Sequence, residues 1–304
     1  MRISKRVLIG GAVAAIAFAG TGVARAAVVG TAAHSSPQFN GSVYAIAYHG
    51  DTVYVGGSFT SAVIDGRLVH RDRLAAFDTR SGDLLPWTPR ANNTIRALAV
   101  SGGSVYAAGD FTEVSGHRRD HLAQINGSSG AVGGFSHQVT GIPQALAVGN
   151  GRLYVGGSFS RIDSSPRSRL AAFSLGDGAI DARWKPTADD TVHALAFAGR
   201  RVYLGGTFHR TDGVRSTLRL SAVDAATGAL DHGFRPSPPA MVHSIAVDSR
   251  GVYAAMGGQG GRASAFSTTG RTRWTRVFDG DVQGIAVLDG TAYVGGHLDR
   301  KSVV

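Results

Sequence analysis

Apolar and polar positions alternate in short runs along most of the chain, and turns rich in Gly, Asp, Asn and Ser separate the runs. Alternation over four to eight residues is the pattern of half-buried β-strands, and no stretch carries the longer period of an amphipathic helix. One run recurs: "VYVGGSF" from Val53, "VYAAGDF" from Val105, "LYVGGSF" from Leu153 and "VYLGGTF" from Val202. With its tyrosine as anchor, the series is Tyr54, Tyr106, Tyr154, Tyr203, Tyr253 and Tyr293, at intervals of 52, 48, 49, 50 and 40 residues.

Eleven residues before the anchors stand Val43, Ile95, Pro143, Val192, Val242 and Val282; nineteen before them stand Ser35, Trp87, Phe135, Trp184, Phe234 and Trp274. Both offsets are constant, so all length variation falls between a tyrosine and the next aromatic, where loops absorb it. Each unit predicts four strands, as in "VHALAF" from Val192, "RVYLGGTF" from Arg201, "LRLSAVD" from Leu218 and "ALDHGFRP" from Ala229. The turns that open with Asp78, Asn126 or Asp224 and close with Gly82, Gly130 or Gly228 are hairpin chemistry rather than calcium loops.

Four-stranded units of this length, each unable to bury both faces alone, predict an all-β fold, a β-propeller of four-stranded blades. About five blades and an incomplete sixth are expected, over residues 41–92, 93–140, 141–189, 190–239, 240–279 and 280–298. The preceding segment 27–40 is a possible closing strand. Glycine inside a strand marks a close approach, and the repeated Gly-Gly pairs are expected to floor the recurrent Trp or Phe.

The stretches "YVGGSFT…RDRLAAFDTRSGDLLPWTP" and "YVGGSFSRIDSSPRSRLAAFSLGDGAIDARWKP" resemble the delta-60 repeat, a β-propeller repeat of secreted bacterial proteins mostly of undefined function. The resemblance runs from Gly41 to about Leu298 and implies the fold while saying almost nothing of chemistry. The fifth unit, "YAAMGGQGGRASAF", lacks the Phe and is about ten residues short, so a clipped outer hairpin is expected there.

Composition adds the cellular setting. Arg2, Lys5 and Arg6 precede an apolar run from Val7 to Val23 that ends in Ala24-Arg25-Ala26, so residues 1–26 are expected to be a cleaved secretory signal peptide and the mature protein extracellular. No later segment is apolar enough to span a membrane. The chain has no cysteine, which removes disulfides and thiolate metal sites. Loss of the signal lowers the formal charge from +10 to +6. Arginine outnumbers lysine 28 to 3, a bias expected of GC-rich, actinobacterial-type coding, and the arginines are too scattered for a nucleic-acid footprint. The last residues, "DRKSVV", match the translation of a common sequencing-adapter string, so Asp299 to Val304 are expected to be adapter-derived and the natural chain longer.

Propeller sites gather where innermost strands meet the central channel. The second residue of each innermost strand is polar or amphipathic: Tyr44, Arg96, Gln144, His193, His243 and Gln283 are the ligand-binding candidates. The alternative is that these side chains only satisfy one another around a wet channel. A second column, Ser58, Asp110, Ser158, Thr207, Gly257 and His297, offers a single acid, too little for a paired-carboxylate mechanism. Two histidines without a carboxylate make no metal site, and no cofactor, GxSxG elbow, HExxH or P-loop is found. Arg73, His121, Arg169 and Arg219 recur in step with the fold and are expected to be structural.

Two functions follow. The first is a secreted, non-catalytic propeller that binds or scaffolds a glycan, a cell-envelope component or a protein. The alternative is an extracellular propeller enzyme, a polysaccharide lyase or hydrolase or a quinoprotein-like dehydrogenase, with its site at the channel mouth. Glu113 is the only glutamate, and this scarcity of acids favours the first.

Overall fold

A computed structural model describes residues 12–13, 36–258 and 260–297. Ala12–Val13 pair in parallel with Ala45 and Ile46. The rest of the expected signal peptide, most of segment 27–40 and the expected adapter tail lie outside the described residues.

The chain is a β-propeller-type succession of antiparallel sheets, and its one helical piece among the described residues is a 3-10 turn at Arg215–Thr217. Each repeat begins with the alternating strand: Val43–His49, Ile95–Ser101, Pro143–Gly149, Val192–Ala198, Val242–Asp248 and Val282–Leu288. Each of these pairs with the glycine-containing strand that follows it: Thr52–Gly57, Ser104–Gly109, Arg152–Gly157, Arg201–Gly206, Gly251–Met256 and Thr291–Gly296. The first strand of each repeat packs beside the first strand of the next, which makes these strands the inner wall. The core lies between repeats: one apolar cluster joins Tyr54, Leu74 and Trp87 of repeat 1 to Ile95, Leu98 and Phe111 of repeat 2. A second cluster likewise joins Tyr154 and Trp184 to Val192, Leu195 and Phe208.

The outer strand differs from expectation. In repeats 1 to 4 it shrinks to single bridges, Phe77 to Leu84, Ile125 to Val132, Phe173 to Ile180 and Val223 to Leu230. The segments beyond these bridges carry Pro86 and Pro89, Gly133 and Gly134, Pro186, and Gly233 and Pro236, and such residues do not sustain a ladder. Repeat 5 has none there, and Thr272–Val277 forms a full fourth strand. Its missing residues come instead from the excursion between second and third strands, which elsewhere forms small hairpins such as Ser61–Ile64 with Arg67–His70. The clipped element is therefore that excursion, not the outer hairpin.

The paired glycines also act differently from expectation. A Cβ on Gly56 would strike Ile95 and Leu98 of the next repeat's inner strand, and one on Gly205 would strike Val242 and Ile245. A Cβ on Gly57, Gly109, Gly157 or Gly206 would strike the carbonyl of Ser42, Thr94, Ile142 or Thr191 in its own sheet. The first glycine admits the neighbouring repeat and the second admits a distortion of the first strand; neither floors the Trp or Phe. Arg73, His121, Arg169 and Arg219 hold left-handed backbone, with φ of 65°, 67°, 69° and 63°. Their amides bond to the carbonyls of Phe59, Phe111, Phe159 and Phe208, and their carbonyls accept from Gly57, Gly109, Gly157 and Gly206. That is a structural corner, as their recurrence implied.

Candidate functional site at the channel mouth

The distortion admitted by the second glycine places the candidate side chains. In all six inner hairpins the register shifts across one residue: between Val43 and Ala45, Ile95 and Ala97, Pro143 and Ala145, Val192 and Ala194, Val242 and Ser244, and Val282 and Gly284. The extra residue of each bulge is Tyr44, Arg96, Gln144, His193, His243 or Gln283, the column read from the sequence. A bulge leaves one residue unpaired and re-aims its side chain. Across each bulge the backbone N–H of Ser58, Asp110, Ser158, Thr207, Gly257 or His297 bonds to the carbonyl two residues before the bulged one. The two columns are therefore tied together by backbone in each of these repeats, with Gly257 the one member of the second column that carries no side chain.

Arg96, Gln144, His193 and His243 line one cavity of about 20 Å³. That holds a water molecule and not an organic ligand, so a larger ligand would lie over the mouth. Tyr44 and Gln283 are half-buried and do not line this cavity. Arg96 and Asp110 form a bidentate pair, with Nε to Oδ1 and Nη2 to Oδ2 both 2.7 Å. Gln144 Oε1 lies 3.0 Å from His193 Nδ1 and places a proton there. His193 and His243 approach with ring centroids 6.2 Å apart. Gln283 Nε2 lies 3.4 Å from His297 Nδ1. His243 sits over Gly257, where any side chain would collide with its Nε2.

Burial pushes the His193 imidazole below its ordinary range, and the neighbouring His243 and Arg96 add to the shift against an opposing pull from Asp190. Burial likewise lowers His243, opposed by Asp281. At neutral pH the two imidazoles are therefore held toward their uncharged forms, beside the Arg96–Asp110 pair and within reach of the Asp190 and Asp281 carboxylates. Among the described residues no three His, Cys, Asp or Glu side chains gather as metal ligands, and no helix is long and apolar enough to cross a membrane.

The turn series behaves as expected: Asp78 Oδ1 accepts from the amides of Arg80 and Ser81 at 2.8 and 2.9 Å. One column escaped the sequence reading. Arg71, Arg119 and Arg167 turn their guanidinium groups onto backbone, Nη2 reaching the carbonyls of Leu85, Gly133 and Asp181 and Nη1 those of His70, Arg118 and Pro166. Their position two residues before Arg73, His121 and Arg169 was the available signal.

A family profile described as outer membrane protein assembly factor BamB matches residues 118–287. No curated protein matches the chain in sequence. Among solved structures, the computationally designed Ika8 protein is similar with a TM-score of 0.53 at 14% identity, over 83% of this chain and 67% of that one. The computationally designed Ika4 protein aligns with a TM-score of 0.40 at 15% identity, over 64% of this chain and 99% of that one. At such identities the likeness to Ika8 speaks to fold alone.

Proposed function

The chain belongs to the outer membrane protein assembly factor BamB family, and from that premise we propose that it is a secreted, non-catalytic β-propeller that binds or scaffolds a partner at its channel mouth. The ligand is a glycan, a cell-envelope component or a protein. The observation that carries this reading is the run of six bulges, which place four kinds of hydrogen-bonding side chain, Tyr, Arg, Gln and His, at one position while the backbone frame stays constant. Varied side chains on an unvarying frame are what a binding surface requires. The family's description as an assembly factor supports scaffolding, and the charged N-terminus with its apolar run and Ala24-Arg25-Ala26 supports export.

The enzyme alternative has less in its favour. Asp110 is the only acid in either column, and both of its oxygens are held by Arg96. A delta-60-type, actinobacterial origin remains part of the proposal and rests on the motifs and the arginine bias.

The test is retention on insoluble cell-wall and plant polysaccharides, and on immobilised envelope proteins, of the wild type against a Tyr44→Ala, His193→Ala, His243→Ala triple variant. Loss of retention in the variant is expected on the true ligand. Equal retention of both on every ligand that captures the wild type would sink the channel-mouth site.

A further inference from the structure

The repeat supplies its own control, and the junction between repeats 2 and 3 departs from it. At the junction of repeats 1 and 2, Trp87 donates its indole N–H to the Asn126 carbonyl at 2.9 Å and the Tyr54 hydroxyl donates to Gly127 at 2.8 Å. Pro89 lies against Gly130. Two repeats on, Trp184 donates to Asp224 at 3.1 Å, Tyr154 to Ala225 at 2.7 Å, and Pro186 lies against Gly228. These contacts seal the seam between neighbouring repeats.

At the seam of repeats 2 and 3 the tryptophan is Phe135, which has no N–H to donate. The proline is His137, whose ring is clamped between the Asp163 carboxylate at 2.8 Å and the Gly178 carbonyl at 3.0 Å. The cross-strand partner of the anchor tyrosine is alanine at 76, 172, 222 and 265, but here it is Gln124. Gln124 Nε2 is 3.0 Å from Ser104 Oγ and 3.4 Å from the Tyr106 hydroxyl. Gly134 adds open space where a side chain would stand. Phe135 alone does not define the change: repeat 4 also has a phenylalanine, Phe234, yet keeps Pro236 packed on Gly270 and alanine at 222.

Every departure faces one place, a cavity of about 470 Å³ between the two repeats, open to solvent and lined by Tyr106, Gln124, Phe135, His137 and the turn from Leu175 to Ala179. That volume falls in the range of roughly 300 to 1,000 Å³ typical of small-molecule sites. Its polar groups are an amide, a phenol hydroxyl, the Ser136 hydroxyl, the His137 imidazole and turn backbone, set beside the apolar walls of Phe135 and Leu175. The charge at its rim is negative: Asp177, exposed, with Oδ1 accepting from the Ala179 amide at 3.1 Å and its second oxygen unused by that bond. No Lys or Arg lines it, and the ring nitrogens of His137 are taken up by Asp163 and Gly178, so an anion would meet the Asp177 carboxylate with no free cationic side chain to receive it. Uncharged donors and acceptors, an apolar wall and one carboxylate match a neutral ring that carries several hydroxyls.

We propose that this cavity binds one neutral pyranose residue of a glycan, with Gln124 and Asp177 taking its hydroxyls and Phe135 its C–H face. The site shares no residue with the channel mouth and stands or falls separately from it.

Ligand-observed NMR of the full chain with glucose, mannose, galactose, N-acetylglucosamine and glucuronate, followed by calorimetry of the best binder, tests the assignment. At least one neutral sugar is expected to show saturation transfer, with glucuronate bound more weakly. Gln124→Ala restores the residue used by the other repeats and is expected to weaken binding about tenfold, the effect of one or two neutral hydrogen bonds. Phe135→Trp restores the indole of the sealed seams and fills the cavity's apolar wall, and is expected to abolish binding. Both variants should unfold at or above the wild-type temperature, which separates a lost site from a lost fold. The channel-mouth triple variant should bind the sugar unchanged. No transfer from any neutral sugar, preference for glucuronate, or full affinity in both rim variants would overturn the proposal.

Discussion

Single residues decide where backbones can meet. Gly57 lies against the carbonyl of Ser42 in its own sheet, whereas Gly56 faces the side chains of Ile95 and Leu98. Side chains can yield by changing rotamer, but a paired strand cannot move its carbonyl without breaking its ladder. Gly57→Ala is therefore expected to cost more than Gly56→Ala, by about 2 kcal/mol or more on the scale of buried backbone clashes; urea midpoints of the two variants, side by side, are the check. Equal midpoints would show that the bulge is plastic.

The buried imidazoles give the molecule a pH dependence. His193 and His243 titrate lower in the folded protein than when unfolded. Their neutral forms thus contribute stability that is fully present above about pH 6.5, the unfolded value, and is lost as pH falls from there toward the folded values. Lowered aspartates such as Asp78, Asp190 and Asp224 act in a separate window, below about pH 4. Wild-type stability should accordingly fall between pH 7.5 and pH 5.5. A His193→Asn, His243→Asn variant should show a flatter profile over that interval, and an identical slope in both would remove the histidines as its cause.

At the scale of elements, the hairpins were largely legible and the bulges were not. Constant offsets from Tyr54 and its equivalents to Val43 and Trp87 and theirs exposed the inner hairpin, because no insertion is tolerated inside it. Those same constant offsets concealed the bulge: an extra residue present in every copy leaves no trace in spacing. The polarity of Tyr44, Arg96 and Gln144 was visible as a column, but not the backbone device that aims them. The outer strand was over-read, since "LLPWTP" alternates like a strand while Pro86 and Pro89 withhold the donors a ladder needs.

The Arg71 column belongs to this scale as well, because it ties the excursion between second and third strands to the segment that follows. Burial lowers the Arg71 guanidinium from its ordinary range, and the side chain persists there because it satisfies the carbonyls of His70 and Leu85 at 2.8 and 3.0 Å. Arg71→Met keeps the bulk and removes the donors. It is expected to lower stability by about 1 kcal/mol, the net worth of hydrogen bonds whose acceptors are exposed or half-buried, as read by chemical denaturation. Repeat 4 manages without an arginine there: Thr217 Oγ1 bonds to the Val214 carbonyl at 2.6 Å and takes the Thr211 amide, also at 2.6 Å.

At the scale of the whole molecule, the inner hairpins are copied with little change, and two of the places where side chains vary are the bulge column at the channel mouth and the seam of repeats 2 and 3. The frame is held by glycines, left-handed arginine or histidine corners and interlocked aromatics, whose roles are internal to each repeat or shared with the next. The bulge column instead borders a water-sized cavity, and its side chains are half-buried. If those side chains exist for a ligand, the fold should scarcely need them.

The most direct measurement is the thermal unfolding midpoint of the Tyr44→Ala, His193→Ala, His243→Ala variant, taken at neutral pH beside its retention on whichever ligand captures the wild type. A midpoint within about 3 °C of wild type, a change of roughly 1 kcal/mol for a chain of this size, together with lost retention, is the expected result. A midpoint lowered well beyond that with retention intact would make the column a structural lining and contradict the assignment of function to the channel mouth.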